Sequence, residues 1–179
     1  MTDIFYAYYA SPIGKLLMIE QDGKLTNLDF EAEQTEPNSK WKLDENRPLF
    51  ALVANALDRY FHGEPEDFVS IPLAPQGTAF QQSIWHALRQ IKFGETSTYG
   101  NLANLIHNPK AVRAVGGAVG SNPISIIIPC HRVLGKDRQL TGFGGGLPAK
   151  RFLLELEKID YVDKGVEYVK QKLLKKYKI

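Results

Sequence analysis

Residues 97–119 predict two short helices joined by a tight turn; they read STYGNLANLIHNPKAVRAVGGAV. The first helix is expected over 97–106, where apolar residues recur at helical spacing. Asn108 and Pro109 then have the order of an N-cap and a proline at the first helical position, which predicts a second helix over 109–119. This arrangement indicates a helix-turn-helix, an element that docks many proteins onto DNA.

The second predicted helix has almost no side-chain bulk. Gly116 and Gly117 are adjacent in it, and each glycine costs a helix roughly 1 kcal/mol relative to alanine. Tight packing against a neighbouring helix would explain the pair. Close approach to nucleic acid would explain it equally well, with Arg113 projecting from a small-residue face that includes Ala114. The composition alone leaves both explanations open.

Helices are also predicted on either side of this motif. Thr78 and Gln81 have the spacing of a capping box, and Pro148 opens a last helix that includes Glu157. The lysine-rich residues after Asp160 predict an amphipathic surface helix. In the helix after Thr78 the apolar residues recur at helical spacing, and their aromatic stripe is expected in the core: Phe80, Ile84, Trp85, Leu88 and Ile91. The last helix also carries Phe152, Leu153 and Leu156.

The chain before the motif predicts a small α/β domain. Its short β-rich runs are separated by turn residues and predict a strand meander: Ile4 to Tyr9, Lys15 to Glu20 and Leu25 to Phe30. A polar, acidic stretch follows, and Pro48 then opens a helix that Gly63 stops. His62, beside that glycine, is expected to interact with the carbonyl groups at the helix end.

Charge changes sign along the chain. Residues 1–77 contain 6 Lys/Arg and 13 Asp/Glu, whereas residues 78–179 contain 16 and 7, so the halves carry −7 and +9. A basic half is suited to a polyanionic partner such as nucleic acid. The predicted units are an α/β domain at 1–72, a linker at 73–77, a helix-turn-helix domain at 78–158 and a lysine-rich tail at 159–179.

Cys130 is the one cysteine of the chain, and it lies directly after Pro129 and before His131 and Arg132. Only a thiolate attacks electrophiles, and a neighbouring cation or a histidine that takes the proton raises the thiolate fraction. The segment therefore indicates a reactive thiol.

One cysteine excludes an internal disulfide, and no apolar N-terminal segment resembles a signal peptide. We expect a cytoplasmic protein that does not contact a membrane.

Several spaced motifs resemble the O6-alkylguanine-DNA alkyltransferase family, also called methylated-DNA–protein-cysteine methyltransferases. The motifs are Gly116-Gly117, Asn122-Pro123, Pro129-Cys130-His131-Arg132-Val133 and Gly142-Phe143-Gly144-Gly145-Gly146-Leu147. The resemblance implies a ribonuclease-H-like α/β domain followed by a winged-helix/helix-turn-helix DNA-binding domain, in the short type without a regulatory domain. It also implies an irreversible, single-turnover reaction that needs no cofactor, carried out by a monomer.

In this family the damaged base is rotated out of duplex DNA and its alkyl group is transferred to a cysteine, which matches Cys130. The implied substrates are O6-alkylguanine and O4-alkylthymine in double-stranded DNA. The resemblance gives His131 and Glu157 the role of activating the thiol through a bound water. It places Tyr99 near the guanine N3 atom, where it can donate a proton.

The resemblance also implies how DNA is held. Arg113 matches an arginine that enters the base stack through the minor groove, and Ala114 and Gly116 lie beside it on the DNA-binding helix. Asn122 matches a hinge asparagine that holds the turn before the active-site segment. Arg132 matches a structural arginine, for which we expect a salt bridge to the acidic first half.

The remaining matches concern the base pocket. Backbone groups of Val133 and Gly144 match positions that contact the flipped base. Phe143 stands where many family members have tyrosine, so we expect its ring packing to persist without a phenol hydrogen bond. The first half also lacks the cysteines that bind a structural zinc in some members, and no metal is expected.

Two other functions compete with this interpretation. A non-enzymatic DNA-binding module would use the basic helix-turn-helix and leave the thiol unchanged. A cysteine hydrolase would pair Cys130 directly with His131, but neighbouring residues in an extended segment point to opposite faces. That geometry favours a relay through water over a protease-like pair.

Overall fold

The computed structural model describes residues 2–34 and 36–164. The predicted helix of the lysine-rich tail falls largely beyond residue 164 and so lies outside the described residues. In the described part, no helix combines the length and the apolar character that crossing a bilayer requires.

The first half forms a four-stranded sheet in the order β3-β2-β1-β4, in which β4 pairs parallel to β1 and the other pairs are antiparallel. The turn between β2 and β3 has positive φ at Asp22 and Gly23, as a type I′ hairpin turn requires. The predicted meander is thus confirmed, with a short fourth strand added. The strands are β1 (Ile4–Ser11), β2 (Gly14–Gln21), β3 (Lys24–Asp29) and β4 (Lys42–Leu43).

Helix α1 (Pro48–Phe61) follows the sheet and begins at a proline, as predicted. His62 ends it and donates from Nδ1 to the carbonyl of Asp58 over 2.6 Å, which confirms its predicted contact with the helix end. The helix buries its apolar face in the core: Leu49, Phe50, Val53, Ala56, Leu57 and Tyr60.

In the second half up to residue 164, the structure describes four α-helices and a two-stranded parallel sheet. Thr78 Oγ1 accepts from the Gln81 backbone amide at 3.1 Å, and Gln81 Oε1 accepts from the Thr78 amide at 2.9 Å, which confirms the capping box. The elements are α2 (Ala79–Leu88), β5 (Ser97–Thr98), α3 (Tyr99–Leu105), α4 (Val112–Gly120), β6 (Val133–Leu134) and α5 (Leu147–Leu156).

The two helices of the helix-turn-helix both start later than the sequence predicts. Thr98 is the N-cap of α3, so the helix begins at Tyr99. The prediction that Asn108 caps the next helix is wrong, because the Ala111 amide donates to the Asn108 carbonyl and closes a turn there. Pro109 occupies the second position of that turn, which its fixed φ favours, and α4 begins only at Val112.

The open edge of the first sheet holds the two halves together. The Leu25 amide donates to the Pro72 carbonyl at 2.9 Å, and the Ala74 amide donates to the Leu25 carbonyl at 2.8 Å, so the predicted linker begins by pairing with β3. Further along β3, the Leu28 amide donates to the Pro123 carbonyl, and Ser125 donates back to Leu28. One continuous apolar core contains residues of both halves. The chain that leads to Cys130 is therefore anchored on the sheet of the other half.

Candidate active site around Cys130

The backbone before Cys130 is folded into two tight turns. Ile126 has φ +71°, and the Ile127 amide donates to the Ser125 carbonyl at 2.8 Å across it, which is a γ-turn. Cys130 makes the second turn by donating its amide to the Ile128 carbonyl. A β-branched residue at positive φ costs about 1–3 kcal/mol, and such strain persists where the surroundings hold a site in place.

Asn122 spans this strained segment. Its Nδ2 donates to the Ile128 carbonyl at 2.7 Å, and its Oδ1 accepts from the Ile124 amide at 2.9 Å. The side chain is buried, so both bonds are shielded from water. Asn122 thus fixes the course of the chain on the approach to Cys130.

A cavity of 430 Å³ opens beside Cys130, within the range of about 300–1,000 Å³ usual for small-molecule sites. It brings together six of the predicted site residues: Tyr99, Gly116, Asn122, Cys130, Phe143 and Gly144. His131, Glu157, Arg113, Ala114 and Val133 are not among its lining residues.

The first half also contributes to this cavity. The Phe30 ring meets that of Phe143 edge to face, with ring centroids 5.4 Å apart. Glu33 lines the cavity as well, and its Oε2 would lie 2.3 Å from a Cβ placed on Gly144. A side chain at position 144 would therefore require the Glu33 carboxylate to move. Sequence reasoning did not single out Glu33, because an exposed acidic stretch gives no signal for such a position.

The Cys130 thiol is protonated at neutral pH in this environment. Burial raises its pKa to about 11, and the charge of Glu33 contributes to the rise, whereas a hydrogen bond from Asn122 and the charge of Lys150 oppose it. A thiol of this kind is a weak nucleophile. Its reaction requires a group that takes the proton.

The candidate for this group is the next residue, His131, which belongs to a buried hydrogen-bond network. His131 Nε2 donates to Glu157 Oε2 at 2.5 Å, and Tyr60 Oη donates to the same oxygen at 2.6 Å. Arg132 Nε donates to Glu157 Oε1 at 2.8 Å. Glu157 is only 3% exposed, so the solvated surface carboxylate that sequence spacing allows is not what the structure contains.

These contacts set the protonation of the pair. Burial alone would raise the pKa of Glu157, but hydrogen bonds from His131 and Arg132, together with the positive charge of Arg132, lower it to about 2. Burial lowers the pKa of His131. A neutral imidazole that donates from Nε2 has its acceptor lone pair on Nδ1. His131 Nδ1 is buried and has no hydrogen-bond partner among the described residues, so it is able to take a proton.

The expected salt bridge between Arg132 and the first half is wrong. Arg132 pairs with Glu157 and donates from Nη1 to the Ile91 carbonyl at 2.7 Å, and both partners belong to the second half. What joins this buried network to the first half is instead the hydrogen bond from Tyr60 of α1 to Glu157. Tyr60 has the sequence signature of a core aromatic residue, and nothing in the spacing pointed to its partner.

Cys130 and His131 do not lie in an extended segment, as the argument against a hydrolase assumed. They begin a short 3-10 turn that spans Cys130–Arg132. Successive side chains in such a turn are rotated by about 120°, so they still diverge. The His131 ring is directed by Nε2 to Glu157, which fixes its orientation.

The exposed face of α4 has open space around its small residues. A Cβ on Gly117 would meet no atom within 4 Å, and one on Gly116 would only reach ordinary contact with the Tyr99 ring at 3.9 Å. Tight helix packing therefore does not explain the glycine pair. Arg113 and Ala114 are exposed on the same helix, and Arg113 makes no hydrogen bond or ion pair with any residue that the structure describes.

Lys150 is a further residue that sequence reasoning missed. It lies on α5, is 1% exposed, and donates from Nζ to the carbonyl of Val133 at 2.8 Å. A lysine on an amphipathic helix normally indicates the solvent side, so the sequence held no signal for its burial. Across the described residues, no group of His, Cys, Asp or Glu side chains is arranged to hold a metal ion.

Comparison with known proteins yields consistent matches over the whole fold. Residues 79–159 match the family model for the 6-O-methylguanine DNA methyltransferase DNA binding domain, and residues 4–75 match that for its ribonuclease-like domain. The methylated-DNA–protein-cysteine methyltransferase of Haemophilus influenzae is 64% identical over 177 residues, covering 99% of either chain. That of Methanosarcina acetivorans is 46% identical, covering 86% of this chain and 98% of its own.

Solved structures give the same result. The crystal structure of Mycobacterium tuberculosis OGT in complex with DNA has a TM-score of 0.79 and 46% identity, covering 86% of this chain and 92% of that one. These matches confirm the predicted fold class, an α/β domain followed by a DNA-binding domain.

Proposed function

Because this chain belongs to the 6-O-methylguanine DNA methyltransferase family, we propose that it repairs DNA by moving the alkyl group of O6-alkylguanine irreversibly onto Cys130. The observation that carries the proposal is the 430 Å³ cavity beside a buried thiol, backed by the hydrogen-bonded pair of His131 and Glu157. The partner is double-stranded DNA that contains the damaged base.

Thiol activation is the first step of the proposed reaction. The proton of Cys130 passes to His131 Nδ1, through the bound water that the family resemblance implies. Glu157 is ionised, so it stabilises the imidazolium that results. Because burial favours the neutral thiol, the thiolate forms only when the relay removes its proton in the loaded site.

Alkyl transfer follows in one displacement. A bond forms between Cys130 Sγ and the alkyl carbon, the bond from that carbon to O6 breaks, and its electron pair passes to the guanine. Tyr99 donates its phenol proton to N3 of the leaving base, which keeps the guanine neutral. The product is a thioether, a stable bond that no group in the cavity is placed to break, so each molecule reacts once.

The open face of α4 is the proposed DNA-binding surface. Its small residues, Ala114 and Gly116 among them, allow the helix to lie close to the minor groove. Arg113 occupies the space that the flipped base leaves and so offsets part of the few kcal/mol that extrusion costs. The minor groove carries little sequence information, which suits a protein that must act at any damaged site.

The proposal extends to the remaining predictions. O4-alkylthymine presents the same alkyl ether on a smaller ring, and we include it as a substrate. Asn122 is the hinge before the active site, and backbone groups of Val133 and Gly144 contact the base beside the ring of Phe143. We place the protein in the cytoplasm, since a reducing compartment keeps its one thiol available. We also propose that it acts as a monomer.

A pair of measurements with Cys130→Ser tests this function. Duplex DNA with a labelled O6-methyl group should transfer its label to the wild-type protein and none to the variant, because a serine hydroxyl is a far weaker nucleophile. Both proteins should bind the duplex with similar affinity. Binding without loss of the label by the wild type would support the non-enzymatic module, and release of the label as methanol would support the hydrolase.

A further inference from the structure

Tyr99 is connected to a buried positive charge through one threonine. Tyr99 Oη lies 2.9 Å from Thr141 Oγ1. Lys150 Nζ donates to the same Oγ1 at 3.0 Å, to the Thr141 carbonyl at 3.2 Å and to the Val133 carbonyl at 2.8 Å. The motif analysis assigned no role to Thr141 or Lys150, and the proposed reaction above uses neither.

The direction of these hydrogen bonds follows from the donors available. An ammonium group only donates, so Thr141 Oγ1 accepts from Lys150. The hydroxyl proton of Thr141 is then available to the Tyr99 oxygen. If Tyr99 gives its own proton away, the remaining phenolate can only accept, and Thr141 becomes the donor of that bond.

Because Tyr99 is largely buried, its phenolate needs a hydrogen-bond donor to stabilise it. Burial raises the pKa of Tyr99 and so disfavours the phenolate, whereas the hydrogen bond with Thr141 lowers the pKa. A hydrogen bond to a charged group is roughly twice as strong as one between neutral groups. The ammonium of Lys150 polarises the threonine hydroxyl in the same direction.

We propose that Thr141, held by Lys150, is a positioning residue that stabilises the Tyr99 phenolate while Tyr99 protonates the leaving guanine. The inference rests on the proposed function. The proton of Tyr99 moves to N3, while Thr141 keeps its own proton and shares it as a hydrogen bond. After the repaired base leaves, the Tyr99 phenolate takes a proton from solvent water and the His131 imidazolium gives its proton to solvent water, so proton gain and loss cancel.

Single-turnover transfer from a duplex with O6-methylguanine tests the inference in Thr141→Val and Thr141→Ser. Valine keeps the shape without the hydroxyl, and serine keeps the hydroxyl. We expect Thr141→Val to be roughly tenfold slower, the effect of losing one hydrogen bond to a charged group, and Thr141→Ser to stay within about twofold of the wild type. Thermal unfolding of both variants shows whether they fold.

A substrate change separates this role from a structural one. In O6-methyl-3-deazaguanine a C–H group replaces N3, so Tyr99 has no atom to protonate. Thr141→Val should then react as fast as the wild type with this base, and it should add no further loss to Tyr99→Phe with the natural one. A tenfold loss that persists with the deaza base or in the Tyr99→Phe background would overturn the inference.

These measurements distinguish a failure of the proposed function from a failure of the role of Thr141. If the wild type takes no methyl group from either duplex, the proposed function is wrong and the inference falls with it. If the wild type reacts with O6-methylguanine and Thr141→Val reacts equally fast, only the role of Thr141 is wrong.

Discussion

Two regions of the molecule differ in almost every physical respect. Behind Cys130, the ionised Glu157 is buried among His131, Arg132 and Tyr60, and every one of these contacts is a hydrogen bond. The exposed face of α4 has an arginine without a described partner and glycines with empty space around them. Proton transfer requires groups fixed at hydrogen-bond distance, whereas docking on DNA requires a surface that nothing else occupies.

The difference predicts how substitutions behave. Changes in the buried network should cost stability as well as reaction, because they leave polar groups unpaired away from water. Changes on α4 should affect reaction with duplex DNA and leave the fold intact. Each prediction below tests one side of this contrast.

The largest effect is expected for Glu157→Gln. The variant loses the negative charge that pairs with the buried Arg132, and breaking a buried ion pair typically costs about 3–5 kcal/mol of unfolding free energy. Urea unfolding at pH 7 measures the loss. Glu155→Gln, in the last turn of α5 two residues before Glu157, is the matched control, and since its side chain is exposed, we expect a change of less than about 0.5 kcal/mol. Equal effects of the two substitutions would contradict the contrast.

The Glu157 carboxylate should also make the free energy of unfolding depend on pH. The pKa of Glu157 is about 2 in the folded protein and 4.5 in its unperturbed state, so its stabilising contribution is present above pH 4.5. It is lost as the pH falls from 4.5 toward 2. The stability difference between wild type and Glu157→Gln should therefore shrink over this range, and a constant difference would show that the pKa of Glu157 is not lowered by folding.

A smaller, purely functional effect is expected for Arg113→Ala. Only duplex DNA requires base flipping, which costs a few kcal/mol, so transfer from duplex should fall at least about tenfold while reaction with free O6-benzylguanine stays unchanged. The unfolding free energy should stay within about 0.5 kcal/mol of the wild type. Lys40→Ala removes an exposed cation from the first half and serves as the control. Equal losses on both substrates would refute the role of Arg113 in flipping.

The smallest effect is expected for Gly117→Ala. The substitution should raise the free energy of unfolding and lower the rate of transfer from duplex DNA. Alanine favours a helix over glycine by about 0.5–1 kcal/mol, and its Cβ meets no described atom within 4 Å, so unfolding should become harder. The added methyl group stands on the face that approaches DNA, so transfer from duplex should slow down. A variant that is less stable than the wild type would show that this face is packed after all.

Local sequence signals predicted most of the fold. The capping box at Thr78, the proline at the start of α1 and the strand meander depend on neighbours a few residues away, so the sequence contains all the information. The start of α4 was misjudged because Asn-Pro is equally suited to a turn and to a helix cap. The hydrogen bond that decided between them joins Ala111 to Asn108 and leaves no distinct pattern in the sequence.

The active site shows more clearly which contacts the sequence does not predict. The motif around Cys130 pointed to the thiol and its histidine, but the partner of Arg132 and the roles of Tyr60 and Lys150 depend on tertiary contacts. Tyr60 and Glu157 are 97 residues apart in the chain and lie in different halves. Tyr60 has the pattern of an ordinary core aromatic residue, which gave no sign of its hydrogen bond, and Glu157 received its role from the family resemblance and not from periodicity.

The most direct test of the central claim is intact-protein and peptide mass spectrometry after incubation with a duplex that contains one O6-methylguanine. We predict a gain of one methyl group per protein molecule, located on the Cys130 peptide, with guanine restored in the DNA and no further turnover when DNA is in excess. Bound duplex with no change in protein mass, or repair of many lesions by one protein molecule, would contradict irreversible transfer to Cys130.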